Sequence, residues 1–327
     1  MQIITDFERF PLEWRASNGH MGSSVRVATR DEFVMRAEVS DAVLLVNGRV
    51  DIALALGFRC LISRTIRRSR APVVAVDLVL RKPNSRVRQL AALGKGAMLR
   101  ELDLIVNYFR DSSRLATAFH LDPARCEYTP FKSNLWERRS AVAKPDGDYV
   151  LCFGRSLRDF DTFIEAVRLS GVPAAMPRPV LSALQAHGSR LSWNERSLPP
   201  NLTFLDDDQS ETAEARMLEH ARLVVVPILP ESLVASGIGT MMNAMALGKC
   251  TIASECVGVS DIFSNQVLSV PPSSPTALAA LLRTAWNDYD LRLRTAAAGL
   301  GFAIECGGEA DLYQRVIDLV CRRFVGR

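Results

Sequence analysis

Two glycines, Gly237 and Gly239, stand directly ahead of an unbroken run of helix formers in SGIGTMMNAMALGKCTIAS, residues 236–254. Glycine accepts backbone angles that other residues avoid, so Ser236 to Gly239 can make a tight turn. Thr240 to Leu247 favours helix, Gly248 is a plausible stop, and KCTIAS reads as a short buried strand. A helix entered through such a turn presents free backbone N–H groups and the positive end of its dipole. That end suits an anion, and phosphate above all. The competing reading is that the glycines only permit close packing. Asn243 lies one turn inside this helix.

A second constellation is FGRSLRDFDTFIEAV, residues 153–167. The strand YVLCFG runs into Gly154 and Arg155, and Asp159 or Asp161 can cap the helix carrying Phe163, Ile164 and Ala166. Arg155 and Arg158 therefore sit on a loop at the carboxyl end of a strand, where open α/β sheets bind ligands. Arginine offers planar, permanently charged donors that match phosphate oxygens. The alternative is two surface arginines, one of them paired with Asp159. Taken with the glycine turn, the pair suits a diphosphate, with guanidinium groups on one side and helix N–H groups on the other.

The elements that must position these residues are legible in the hydrophobic pattern. SVRVATR, AVLLVNGR, APVVAVDLVL, LDLIVNYF and the weaker CEYTPF precede a polar stretch, AKPDGD at 143–148, that reads as a linker. After it come YVLCFG, LTFLDD, ARLVVVPILP, KCTIAS and QVLSVPP, with VPAAMPRPV a less certain member. Amphipathic stretches separate most of these runs, which indicates parallel sheets covered on both faces. The expected fold is α/β, with two doubly wound Rossmann-like domains over 1–146 and 147–308. EADLYQRVIDLVCRRFVGR, 309–327, reads as an amphipathic helix with Leu312, Val316, Ile317 and Val320 on one stripe.

Composition narrows the function classes. The 327 residues are 48% hydrophobic and 23% charged, an ordinary globular balance with room for two cores. The N-terminus lacks a secretory signal, and no apolar run approaches the ~20 residues of a membrane span, so a cytoplasmic setting is expected. Seven scattered cysteines, without a CxxC pair, read as reduced and mostly buried. Residues 1–146 hold 24 Lys+Arg against 16 Asp+Glu, a net +8, whereas the remainder is −4. The basic half, densest at ISRTIRRSR (62–70), reads as a solvated surface or as a peripheral contact with anionic membrane. Nucleic acid is disfavoured, because no aromatic residues interleave with the arginines.

These motifs resemble the nucleotide-sugar-binding half of GT-B glycosyltransferases, in particular the retaining enzymes called family 4, or group 1. FGRSLRDFDTFIEA follows that family's Gly-Arg strand end and Glu-Ala helix, with Arg155 on its arginine and Arg158 on its lysine. VASGIGTMMNAMALGKCTIAS and ECVGVSDIF follow its later block, and YTPFKSN (128–134) is similar to its loop before the interdomain linker. The resemblance covers roughly residues 126 to 295. It implies a glycosyltransferase that moves a sugar from a nucleoside-diphosphate sugar to a glycan, lipid-linked or small-molecule acceptor, with no cofactor and no metal. Gly154, Ser236, Gly237, Gly239, Thr240 and Asn243 would bind the donor, with Arg155, Arg158 and Glu231 at the reacting centre. It also implies that the C-terminal helix crosses back to the N-terminal domain.

Two departures stand out. The family carries two glutamates eight residues apart; here Ala235 occupies the place of the first and Asn243 that of the second, leaving Asn243 to read the ribose through its amide. Glu231, four residues before Ala235, reaches the sugar only if its loop folds differently. The N-terminal half, moreover, shows no clear opening strand in residues 1–23. His20 is the better acceptor-side candidate, and His120 reads as a helix end. Asp77, alone in an apolar run, reads either as a core-edge hydrogen-bonding group or as an acceptor-site residue, with Arg81 and Lys82 just beyond. The acidic run Asp206 to Asp208 reads as a loop before a helix cap rather than as a metal site. A non-catalytic homologue that binds a sugar nucleotide or a partner, and a sugar-nucleotide epimerase, are the alternatives.

Overall fold

The computed structural model describes residues 1–36, 42–65, 70–192 and 197–325; of the basic run at 62–70, residues 66–69 lie outside the described residues. The chain divides into two compact units, 1–130 with 310–327, and 131–309.

The first unit holds β1 (Gln2–Thr5), β2 (Glu13–Arg15), β3 (Met21–Arg26), α1 (Arg30–Arg36), β4 (Ala42–Asn47), α2 (Val50–Thr65), β5 (Val73–Val76), α3 (Arg86–Leu99), β6 (Leu104–Asn107), α4 (Ser113–Phe119) and β7 (Cys126–Tyr128). Its sheet runs β2-β3-β1-β4-β5-β6-β7, parallel throughout except for the antiparallel pair β2–β3. All four residues of β5 and of β6 are buried, as continuous apolar strands covered on both faces must be. The opening strand that the sequence does not advertise is β1. Only Ile3 and Ile4 mark it, yet it lies between β3 and β4, and tertiary pairing supplies what a four-residue run lacks. His120 caps α4 in a left-handed conformation, as its place at a helix end suggests.

The second unit holds β8 (Tyr149–Cys152), α5 (Phe160–Ser170), β9 (Ala174–Pro177), α6 (Leu181–Ala186), β10 (Leu202–Leu205), α7 (Glu211–Glu219), β11 (Ala221–Val226), α8 (Ile238–Ala246), β12 (Cys250–Ser254), β13 (Leu268–Val270), α9 (Pro275–Asn287) and α10 (Tyr289–Cys306). Its six strands run β10-β9-β8-β11-β12-β13, all parallel, so β9 is a full member of the sheet. Val150, Cys152, Val225 and Ile252 from the strands pack with Phe163 of α5 and Leu282 of α9 in one core.

The boundary falls at 130/131 rather than at 146/147. AKPDGD is no free linker: Lys144 N–H donates to the Gly248 carbonyl, Arg292 donates to Pro145 O and pairs with Asp146, and Lys249 Nζ donates to Asp146 O. Polar composition alone suggests a loop, but these partners fasten the segment to the second unit. The last helix, α11 (Glu309–Phe324), belongs from Ala310 onward to the first unit. Tyr313 packs edge-on against Phe7 at 5.4 Å, Asp318 accepts from the Ser17 N–H and hydroxyl, and Arg315 donates to Pro130 O.

Candidate functional site

The sheet of the second unit brings the loops after β8 and β11 side by side, because those strands are neighbours. Gly154 leaves β8 with φ of +115° and Gly237 caps α8 with φ of +87°, conformations in which side chains are strained. Both glycines border Arg158. A Cβ on Gly154 would lie 2.5 Å from Arg158 Nη2, and one on Gly237 would lie 3.1 Å from Nη1. The two turns therefore fold around one guanidinium.

Arg158 is only 2% exposed. Its Nε donates to Phe153 O, Nη1 to Ser156 O and Nη2 to Thr240 Oγ1, which uses three of the five N–H donors of the group. Among the described residues no carboxylate pairs with it. Burial lowers its pKa to about 10, so at neutral pH it is a charged, desolvated cation lacking a counter-ion. The neighbouring acid of the sequence alternative is engaged elsewhere: Asp159 caps α5 and pairs with Arg190 at 2.5 Å. Arg155, in contrast, is exposed.

A cavity of about 670 Å³ opens over these groups, within the range of small-molecule sites. One end is lined by Gly154, Arg155, Arg158, Gly237, Gly239 and Thr240. The other is more apolar, with Met176, Pro179, Val180 and Phe204, over whose ring the Arg178 guanidinium lies at 4.6 Å. Asn243 and Glu214 also line it.

Seven of the nine residues singled out in the sequence thus line one cavity; Ser236 and Glu231 do not. Ser236 is buried, its hydroxyl 3.0 Å from that of Ser232, and serves the turn. Glu231 is exposed and interacts electrostatically with Arg190. The Asn243 amide, expected to read a ribose, is held largely by protein partners. It is 1% exposed, its Oδ1 accepts from Ser133 Oγ, Asn134 N and Leu135 N, and its Nδ2 donates to Glu214 Oε1 at 2.7 Å. Glu214 escaped the sequence reading, because an acid in ETAE is indistinguishable from ordinary first-turn helix charge. Burial raises its pKa, opposed by the Asn243 bond and the Arg155 charge.

In the first unit Asp77 stands just past β5 with φ of +52°, unusual for a non-glycine residue. Its N–H donates to Val106 O, and burial pushes its carboxyl up to about 6. His20 is exposed.

Residues 148–288 match the family model "Glycosyl transferases group 1". Over this segment the chain is similar to group 1 glycosyltransferases. No curated protein sequence matches the chain. Among solved structures, HepE of Anabaena, in complex with UDP-glucose, is similar with a TM-score of 0.66 at 14% identity, covering 90% of this chain and 82% of that one. Sucrose-phosphate synthase from Thermosynechococcus elongatus gives 0.64 at 14%, covering 100% and 89%. The trehalose-6-phosphate synthase OtsA gives 0.60 at 12%, covering 99% and 90%. At such identities the likeness establishes the fold: two parallel-sheet, Rossmann-like units of the GT-B class. Within the matched segment, Ala235 has a physical reason to be small. A Cβ on Gly258 would lie 2.4 Å from its Cα, so the turn at 257–259 packs directly on it.

Proposed function

We propose that the chain is a glycosyltransferase whose donor is a nucleoside-diphosphate sugar held in the cavity of the second unit. The observation that carries this reading is the buried, uncompensated guanidinium of Arg158 between two glycine turns at a helix N-terminus. Keeping such a cation out of water is costly unless an anion completes the site. A diphosphate does so, with Arg158 and the exposed Arg155 on one side and the first N–H groups of α8 on the other. As the bond from the sugar C1 to the diphosphate oxygen breaks, negative charge grows on that leaving oxygen. Donors already fixed by protein hydrogen bonds then stabilise it without reorganising. The acceptor oxygen bonds to C1 on the face the diphosphate leaves and passes its proton to the departing diphosphate oxygen, with net retention, as the resemblance to group 1 enzymes implies. The charge falls to arginines and backbone N–H groups, so the reading needs no metal. Asp77, a carboxyl at the carboxyl end of a parallel strand, is our candidate on the acceptor side.

Since HepE is in complex with UDP and with UDP-glucose, uridine is the first base to try. Calorimetric titration with UDP, GDP and ADP should give a saturable heat with at least one, and the matching sugar nucleotide should be consumed in the presence of acceptor-containing extract. No binding of any of the three would overturn the donor-site reading; binding without turnover would favour a non-catalytic homologue.

The cytoplasmic setting is part of the proposal, with peripheral contact to anionic membrane through the first unit. No described helix is long and apolar enough to cross a membrane. Helix α3 instead exposes Val87, Leu90 and Leu93 at 77%, 69% and 49%, beside Arg86, Arg88 and Lys95, a pairing that suits an anionic bilayer surface. Vesicles with about a third anionic lipid should float the protein, neutral vesicles should not, and V87E/L90E should abolish flotation.

A further inference from the structure

Asn243 stands where the resemblance to group 1 enzymes implies a glutamate, and a carboxylate from another helix, Glu214, lines the same cavity. We propose that Glu214 of α7 is the carboxylate that accepts hydrogen bonds from the ribose hydroxyls of the bound nucleotide, with Asn243 as its positioning residue. The inference rests on the donor site proposed above.

Three observations carry it. Glu214 lines the cavity and is half-buried there. One of its oxygens, Oε1, is fixed by Asn243 Nδ2 at 2.7 Å, while Oε2 has no hydrogen-bond partner among the described residues and is not a buried, unpartnered atom, so it is open to a ligand. Asn243 in turn cannot swing, because its Oδ1 accepts three donors from residues 133–135. The placement follows from helix geometry. Thr240, which takes a hydrogen bond from Arg158 at the phosphate end, lies three residues before Asn243 on α8, less than one turn or about 5 Å along the axis. The group next to the phosphates of a nucleotide, one methylene away, is the ribose. A carboxylate bonded to Asn243 is therefore beside the diol, and a vicinal diol has two O–H donors for an acceptor with an open oxygen. The Arg155 charge nearby opposes the rise in pKa that burial causes and favours the ionised, acceptor-only form.

An asparagine where the family has glutamate thus need not remove the ribose contact. It moves the charge across the cavity, from α8 to α7, and leaves an amide whose role is to hold it. A plain ion-pair mate for Arg155, without contact to ligand, is the competing role for Glu214, and the two differ in what they ask of the ribose.

Titration of wild type, E214A and E214Q with UDP and with 2′,3′-dideoxy-UDP separates them, GDP and its dideoxy analogue replacing them if guanosine is the base. Wild type should prefer the ribose ligand by about ten- to hundredfold, the scale of charge-assisted hydrogen bonds. E214A should lose that preference while binding the dideoxy ligand within about twofold of wild type, and E214Q should fall between. The ratio of two ligands on one variant is insensitive to a partly unfolded sample, and N243A, which frees Glu214 without removing it, should reduce the ratio as well. An unchanged ratio in E214A, or equal weakening of both ligands, would overturn the assignment. If wild type binds none of the nucleoside diphosphates, the donor site itself is wrong and this inference falls with it. A wild type that binds both ligands equally refutes the ribose contact alone.

Discussion

Arg155 and Arg158 lie on one loop, yet burial gives them different consequences on removal. Arg155 is exposed and contributes little to folding, whereas a charged hydrogen bond to phosphate is worth about 1.5–3 kcal/mol. Arg155→Ala should therefore weaken UDP binding by roughly ten- to hundredfold, and leave the melting temperature within about 2 °C of wild type. Arg158 is the reverse of the surface residue that its neighbour Asp159 suggests. Replacing it by alanine strips donors from Phe153 O, Ser156 O and Thr240 Oγ1 and opens a gap between Gly154 and Gly237. Arg158→Ala should abolish detectable UDP binding and also shift stability, with the lost hydrogen bonds and the relieved buried charge opposing each other. Because the charge is uncompensated without ligand, UDP should raise the melting temperature of wild type while leaving that of Arg158→Ala unchanged, a difference that scanning calorimetry reads directly.

At the scale of elements, the N-terminus of α8 separates packing from binding. Gly237 needs its left-handed angle, and a Cβ there would lie 2.5 Å from Val226 Cγ1, so Gly237→Ala should cost about 2 kcal/mol or more in urea denaturation. Gly239 has no such constraint: its added Cβ would meet Asn134 and Phe131 at 3.6 Å, an ordinary contact. Gly239→Ala should keep or slightly raise stability through helix propensity, about 1 kcal/mol at most, while weakening UDP because it covers the N–H face of the helix. At the other end of the same helix, Lys249 opens the segment to β12. Its Nζ donates to Asp146 O and Glu219 O, and burial lowers its pKa to about 8. Between about pH 8 and pH 10 the unfolded chain retains a proton that the folded chain has released, so this group makes stability rise with pH across that window. Lys249→Met should remove that part of the slope, as urea midpoints at pH 7.5 and pH 9.5 would show.

For the whole molecule, the division into 1–130 with 310–327 and 131–309 dictates which fragments are self-sufficient. Every described residue lining the cavity lies within 131–309, so that fragment should fold alone and bind UDP within about threefold of the full chain, yet transfer no sugar. The first unit cannot be cut so simply. Leu312, Tyr313, Val316, Ile317 and Val320 of α11 are buried, with Tyr313 against Phe7 and Phe10. Fragment 1–130 should therefore expose apolar surface and unfold without cooperativity, and joining 310–327 to it through a short Gly-Ser linker should restore a single transition in circular dichroism. Recovery of full cooperativity by 1–130 alone would show that α11 is dispensable to that core.

The sequence by itself determined the α/β class, the alternation of strand and helix, and the two loops rich in Gly and Arg. Those features are local: apolar runs of the right length, and glycines where positive φ is required, appear as residue types at fixed spacing. The cavity residues Gly154, Arg155, Arg158, Gly237, Gly239 and Thr240 were legible for the same reason, since strand ends in parallel sheets converge at one edge. What only the tertiary structure decided depends on partners distant in the chain. Arg158 is buried because Thr240 and two glycine turns surround it, 82 residues away at the Thr240 contact. Asn243 is spent on residues 133–135, more than 100 positions earlier, and Glu214 enters the cavity because α7 packs beside that amide. The stretch 143–148 belongs to the second unit because Arg292 and Lys249 fasten it, and β1 is a strand because β3 and β4 flank it. Propensity and spacing cannot report such pairings: hydrogen bonds between residues a hundred positions apart form only once the sheets have brought their ends together.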